Sequence, residues 1–425
     1  MCNYIVRKSP PLSGTVDLST SKNSMLPILA ACLLTSEEVT LYKVPVLTDV
    51  QIMIELMKSI GAKISTSGDE TCIDCSDITS REAPDELVQK MRASFLLMGP
   101  LLSRFGRARV PLPGGCDIGT RPVDLHLKGF HALGSTIKTC QGSLVAEGSM
   151  LKGTTIYLDY PSVGSSENII MAASLAEGET VLINAAREPE IVDLANFINA
   201  MGGKIQGAGT DMIRIRGMAR LRGCAYTPIS DRIEAGTLMV AAALTGGDVT
   251  LNRAVPEHLR PISAKLREGG ADVWEETGAI RVRGAWRPLA VDIKTMPWPG
   301  FPTDLQPQAM VLCSISKGVS VITETVFENR FMHVPELNRM GAEIRIKERS
   351  AVIEGVGKLY GSTVKATDLR AGAALVLSGL VADGETRVTH SDYIDRGYED
   401  FAGKLRSLGA LVEVQGHRQE LPARQ

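Results

Sequence analysis

Two recurring loop positions in this 425-residue chain carry groups able to grip an anion. The loop before one kind of helix carries Lys22, Arg92, Ser165, Arg232, Asp304 and Arg370 in turn; the loop before the other carries Arg121, Arg187, Arg330 and Arg396. Helix N-termini present unpaired N–H groups and the positive end of the helix dipole, so cations repeated there favour an anionic ligand. Several guanidiniums together specify phosphate and carboxylate, which they bind as planar forks. The series holds one acid, Asp304 in FPTDLQPQ. A helix cap is one reading of it, with Thr303 equally able to cap; acceptance of a proton from a hydroxyl is the other. Cys116 stands apart, after Gly114 and Gly115 in RVPLPGGCDIGTRPVDLHL and five residues before Arg121. A thiol in a glycine-rich segment near fixed cations is expected to have a lowered pKa, to act as nucleophile or proton donor, and to ride on a mobile lid. His126 has no carboxylate partner in sequence, so its claim to catalysis is weak. Asp49, Asp231, Glu188 and Glu190 read as caps, hinge groups or partners of the arginines.

These groups need a scaffold that presents equivalent helix ends together, and the sequence supplies a repeated one. A glycine that ends a helix and opens a strand recurs at Gly61, Gly134, Gly202, Gly270, Gly341 and Gly409, at intervals of 73, 68, 68, 71 and 68 residues. MKSIGAKI, INAMGGKI and LNRMGAEI show the pattern: a last helical turn, a left-handed glycine cap, then a strand. Between the glycines recurs a helix apolar nearly all round, as in IIMAASLA and LMVAAALT, followed by a turn and a strand. Such helices belong inside, with the more polar helices and the sheets around them. The expected fold is therefore α/β: two inside-out α/β barrel domains, each of three repeated βαβαββ units, joined by a double-stranded hinge. The segment YIVRKSPPLSGTVDLST aligns Leu12 and Gly14 with Leu221 and Gly223, so the N-terminal strands are expected to complete the sixth unit. The domains are then residues 22–229, carrying the Cys116 loop, and residues 1–21 with 230–425.

Bulk composition narrows the partners. At 44% hydrophobic and 4% aromatic content the chain can fill two aliphatic cores. A net charge of −2 provides no basic field for nucleic acid or anionic lipid, which points to a small-molecule ligand. No apolar stretch is long enough to span a bilayer and the N-terminus lacks a signal-peptide core, so a cytoplasmic location is expected. The scattered cysteines fit reduced thiols, and the CxxC pair Cys72 and Cys75 reads as strand residues, not a metal site. Neither a Walker loop nor a zinc-type histidine cluster is present in the sequence.

The blocks SKNSMLPIL, LPGGCDIGTRPVDLH, SVGSSENIIMAA, AAREPEIVD, FPTDLQPQ, TETVFENRFMHVPEL and IDRGYE resemble the enolpyruvyl transferase family, specifically its UDP-N-acetylglucosamine branch, over almost the full length. The resemblance implies the fold expected above. It implies addition of the 3′-hydroxyl of UDP-N-acetylglucosamine to C2 of phosphoenolpyruvate, then loss of phosphate, in peptidoglycan synthesis and with no metal or organic cofactor. Carried onto this sequence, it makes Lys22, Asn23, Arg121, Arg330, Arg370 and Arg396 the phosphoenolpyruvate site. It makes Asn23, Arg92, Arg121, Pro122, Val123, Asp124, Leu125, Ser162, Val163, Gly164, Asp304 and Val326 the nucleotide-sugar site. Catalytic roles fall to Cys116, Asp304, Lys22 and Arg396, with Cys116 the proton donor that fosfomycin alkylates. A monomer or weak homo-oligomer is expected. Thr48, Tyr160, Ser24 and Tyr393 depart from the family pattern. Rival readings are a 3-phosphoshikimate enolpyruvyl transferase, a pathway-specific paralogue, and a non-catalytic nucleotide-sugar sensor.

Overall fold

All six repeat glycines adopt positive φ in the computed structural model, which describes residues 2–112 and 123–416: 115° at Gly61, 95° at Gly134, 90° at Gly202, 91° at Gly270, 90° at Gly341 and 95° at Gly409. Each ends a helix in the left-handed conformation that only glycine adopts without steric cost. The next strand starts within three residues, as in Lys63–Ser67 after Gly61 and Glu343–Lys347 after Gly341.

The repeats build sheets of one pattern. In the fifth, Ile293–Lys294 lies parallel to Val319–Thr323, which pairs antiparallel with Ser350–Glu354, which pairs antiparallel with Glu343–Lys347. The third repeat does the same with Thr155–Tyr157, Glu179–Ile183, Met212–Arg216 and Lys204–Gln206. In the sixth, strand Asn3–Arg7 occupies the place held elsewhere by Ser350–Glu354, with Tyr4 opposite Val388 on one side and Val414 on the other. The first N-terminal strand thus completes the sixth unit as expected.

The second does not. Ser13–Asp17 runs parallel to Asp248–Asn252 in the fourth repeat, Thr15 opposite Thr250. Leu12 directs it there: its carbonyl accepts the N–H of Asp248 at 2.8 Å, and a Cβ on Gly247 would lie 2.3 Å from that oxygen. Ala225–Tyr226 joins Val39–Tyr42 in the same parallel manner. The Leu12–Gly14 and Leu221–Gly223 motifs therefore each deliver an edge strand, the one to the fourth repeat and the other to the first.

The described chain divides into two compact units, residues 20–112 with 123–229 and residues 2–19 with 230–416. Each has its own core. In the first the buried helices are Lys22–Ala31, Met98–Phe105 and Val163–Ala173; in the second they are Arg232–Thr245, Gln306–Ile315 and Leu369–Gly379. These helices are buried on nearly every face, while strands such as Ala279–Arg283 alternate buried and exposed residues. That is the inside-out arrangement: one sheet face packs on helices and the other faces water. Glycine sets how closely the inner helices approach. A Cβ at Gly99 would sit 2.6 Å from the backbone oxygen of Asn168, so any larger residue there forces the two helices apart.

Candidate functional site

In the unit of residues 2–19 and 230–416, three helix starts bring three charged groups together. Asp304 lies in the turn Thr303–Leu305 that leads into Gln306–Ile315, and Arg370 lies in the first turn of Leu369–Gly379. Asp368 caps that second helix by accepting the N–H groups of Arg370 and Ala371 at 2.8 and 3.1 Å. Arg330 precedes the helix Val334–Arg339. Its Nη2 reaches Oδ1 of Asp304 at 3.0 Å, while Nε and Nη2 of Arg370 reach Oδ2 at 3.2 and 3.1 Å. One carboxylate is thus shared by two guanidiniums that are only 3% and 1% exposed. The capping reading of Asp304 fails, since the turn has no side-chain cap and Thr303 donates instead to Glu324 at 2.9 Å.

Burial and stacking fix both arginines. Arg370 lies 5.0 Å from the ring centroid of Tyr398, whose hydroxyl is held by Gln308 Nε2 at 2.9 Å and Thr237 Oγ1 at 3.0 Å. Arg330 lies 5.6 Å from the ring of Phe327. Arg396 ends the turn Ser391–Arg396, and the next residue, Gly397, comes so close that a Cβ on it would be 3.4 Å from Nη1 of Arg370. Nε of Arg330 and Nη1 of Arg370 are buried with no hydrogen-bond partner among the described residues. Two charged donors left over beside a shared carboxylate suit an anion with several oxygens.

Sequence reasoning missed three groups here. Glu324, 1% exposed, accepts Thr295 Oγ1 at 2.8 Å, Thr303 Oγ1 at 2.9 Å and the N–H of Val326 at 2.8 Å, so one acid shapes both the Asp304 turn and the Val326 turn. His333 is buried, and its pKa falls to about 4 because burial disfavours the imidazolium and Arg330 repels it, against the pull of Asp368. Tyr398 is the third. A lone acid ending an apolar strand, in TETVF, was the one available signal for Glu324.

The other unit gathers a second set. Lys22 opens the helix Lys22–Ala31 behind the Ser21 cap, and its Nζ lies 3.2 Å from Asp49, which was expected to be a cap, a hinge group or a partner of the arginines and here pairs with an ammonium. Asn23 follows it, half-buried. Arg92 opens the turn Arg92–Leu97, Val123 precedes Asp124 and Leu125 at the start of Asp124–Ala132, and Ser162 caps Val163–Ala173. His126 ties these starts together. It meets Phe95 edge-on at 4.9 Å, takes Asn168 at 3.0 Å, and would lie 3.4 Å from a Cβ on Gly164. Asn168 also donates to the Phe95 carbonyl at 3.0 Å and accepts the N–H of Gly99 at 2.9 Å. Burial, reinforced by the charge of Arg92, lowers the His126 pKa to about 3, so the ring is a neutral linker.

Asp231 is a cap, accepting the N–H groups of Ile233 and Glu234. Glu188 and Glu190 stand near Glu167, whose carboxyl is pushed well up by burial and then by those two charges. Cys75 is buried, and burial raises its thiol to about 12, so it is not a reactive pair with Cys72. Cys116, Arg121 and Pro122 lie outside the described residues. Among the described residues no group of histidine, cysteine and acidic side chains is arranged to hold a metal, and no helix is long and apolar enough to cross a membrane.

A family model described as EPSP synthase (3-phosphoshikimate 1-carboxyvinyltransferase) matches residues 6–405. UDP-N-acetylglucosamine 1-carboxyvinyltransferase 2 of Carboxydothermus hydrogenoformans is 58% identical, over 97% of this chain and 99% of its own. UDP-N-acetylglucosamine 1-carboxyvinyltransferase 1 of Caldanaerobacter subterraneus is 57% identical, over 96% and 98%. Among solved structures, the enolpyruvyl transferase NikO from Streptomyces tendae aligns with a TM-score of 0.88 at 25% identity, covering 98% of this chain and 99% of that one. EPSP synthase from Acinetobacter baumannii aligns at 0.77 with 18% identity, over 98% and 100%, a likeness of fold.

Proposed function

We infer that this chain, which belongs to the enolpyruvyl (1-carboxyvinyl) transferase family, moves the enolpyruvyl group of phosphoenolpyruvate onto the 3′-hydroxyl of UDP-N-acetylglucosamine and releases phosphate. The observation that carries this reading is the identity of 56–58% to relatives so named over nearly the whole chain. The Asp304 cluster supports it chemically.

The reaction is an addition followed by an elimination. In the first step the sugar oxygen bonds to C2, its proton departs, and a proton arrives at C3. The intermediate carries carboxylate and phosphate on one carbon. In the second step the C2–O bond to phosphate breaks, a proton leaves C3, and the double bond returns. A sugar hydroxyl is too weak an acid for a free carboxylate to ionise, so Asp304 assists only as the new bond forms. Its charge is already shared by Arg330 and Arg370, which burial and stacking fix before any substrate arrives. Fixed cations of this kind stabilise the doubly anionic intermediate without the reorganisation water requires.

In this reading Arg330, Arg370, Arg396, Arg121 and Lys22 hold the donor, and Cys116 supplies the C3 proton. Asn23, Arg92, residues 121–125, Ser162, Val163, Gly164 and Val326 hold the nucleotide sugar. The enzyme works in the cytoplasm as a monomer or weak homo-oligomer, without metal or organic cofactor. Phosphate release from purified protein tests it directly. Release with phosphoenolpyruvate and UDP-N-acetylglucosamine is expected, with none when shikimate 3-phosphate is the acceptor; the reverse preference would overturn the assignment.

A further inference from the structure

Lys22 and Asn23 sit between two residues tied to one distant segment. The N–H of Ser21 donates to the carbonyl of Ile229 at 2.8 Å. Ser24 donates its hydroxyl to Oδ2 of Asp193, and the same oxygen accepts the N–H of Ile229 at 3.1 Å. Ser21 Oγ in turn accepts the N–H of Ser24 at 3.3 Å. Ser21, Ile229, Asp193 and Ser24 therefore form a closed hydrogen-bonded ring, and Lys22–Asn23 is the dipeptide that spans it. The other Asp193 oxygen takes the Tyr226 hydroxyl at 2.6 Å.

Three of the four members are sheltered: Ser24 is fully buried, Ser21 is 1% and Asp193 2% exposed, so water competes little for the Ser24–Asp193 bond, while Ile229 is half-buried. Three groups donate to Asp193, the Ser24 and Tyr226 hydroxyls and the Ile229 N–H, and two of them share its Oδ2, so that oxygen is the one that closes the ring.

We propose that Asp193, acting through Ser24 and Ile229, is a positioning residue that fixes the first turn of helix Lys22–Ala31 and so the reach of Lys22 and Asn23. The proposal rests on the reading of those two residues as donor-site groups. It does not depend on contact between Asp193 and substrate: the carboxylate acts at one remove, by holding the backbone on either side of the dipeptide.

The test uses full-length protein with Asp193→Ala, which removes both acceptor oxygens, and Ser24→Ala as the milder variant that removes one hydroxyl. Amide hydrogen exchange in the ligand-free protein is expected to quicken about tenfold over residues 21–25 in Asp193→Ala and less in Ser24→Ala, with residues 232–245 unchanged. In the same order, kcat/KM for phosphoenolpyruvate is expected to fall, by about tenfold for Asp193→Ala. Unchanged exchange over residues 21–25 overturns the proposal, as does a uniform quickening throughout residues 20–229, which would mark a general structural role. Wild-type protein that exchanges as expected but shows no turnover would instead remove the functional reading and leave the ring standing.

Discussion

Replacing Asp304 by Asn should destabilise the unit that carries it even in the absence of substrate. Asp304 bridges two guanidiniums that are 3% and 1% exposed, through contacts of 3.0 to 3.2 Å. Removing one partner of a buried ion pair typically costs about 3–5 kcal/mol, since the remaining charges lose their counterion without regaining water. The Asp304 side chain is itself 27% exposed, so solvent screens part of the pair and about 2–3 kcal/mol is the fitting expectation. The chain offers a clean probe, because its tryptophans, Trp274, Trp286 and Trp298, all lie in that unit. Urea unfolding followed by tryptophan fluorescence should therefore show an earlier transition in Asp304→Asn. Inorganic phosphate should restore the variant more than it stabilises wild type, by supplying the missing negative charge. Equal midpoints, with phosphate acting equally on both proteins, would refute the assigned role of Asp304 as counterion to both arginines.

Two buried groups in the other unit should give opposite pH signatures. His126 is depressed to about 3, so the folded state declines a proton that the unfolded chain takes up below about 6.5. Stability is lost as pH falls through that window, and His126→Gln should flatten the loss in chemical denaturation followed by circular dichroism. Glu167 is raised by burial and by Glu190 and Glu188, so the folded state keeps a proton that the unfolded chain releases. Stability falls as pH rises above the ordinary glutamate range, and Glu167→Gln should be more stable than wild type at pH 8. Tyr398→Phe keeps the ring against Arg370 but removes the hydroxyl shared by Thr237 and Gln308, which still bond to each other, and should cost about 0.5–1.5 kcal/mol in the tryptophan-detected transition. Fosfomycin should inactivate the enzyme and add one mass equivalent at Cys116, whereas Cys116→Ser should take up none by mass spectrometry.

Periodic features were legible in the sequence because they repeat. A left-handed glycine after each outer helix and an all-apolar inner helix are local requirements of one unit, and six copies expose them. The site was legible where the repeat was broken, since Asp304 is the acid in a mainly cationic series. What stayed hidden depends on contacts between distant residues. Asp304 and Arg370 are 66 positions apart, and nothing local tells that their side chains meet. Glu324, Asn168 and Tyr398 work through backbone amides and hydroxyls from other elements, so their importance lies in their surroundings and not in their types. The destination of strand Ser13–Asp17 was hidden for a related reason. A short parallel edge strand is placed by a few contacts, here Leu12 on Gly247 and Asp248, and the hydrophobic pattern fits either sheet.

Weaving the earliest residues into sheets made much later also orders events on the ribosome. Strand Asn3–Arg7 must await partners at residues 385–389 and 412–415, and Ser13–Asp17 must await 248–252, while residues 20–229 are contiguous and free to fold first. At about 5–20 residues per second, a nascent chain exposes unpaired YIV for tens of seconds. Arg7, Lys8, Pro10 and Pro11 follow directly, charges and imino acids that discourage strangers from docking on that ribbon before its own neighbours are translated.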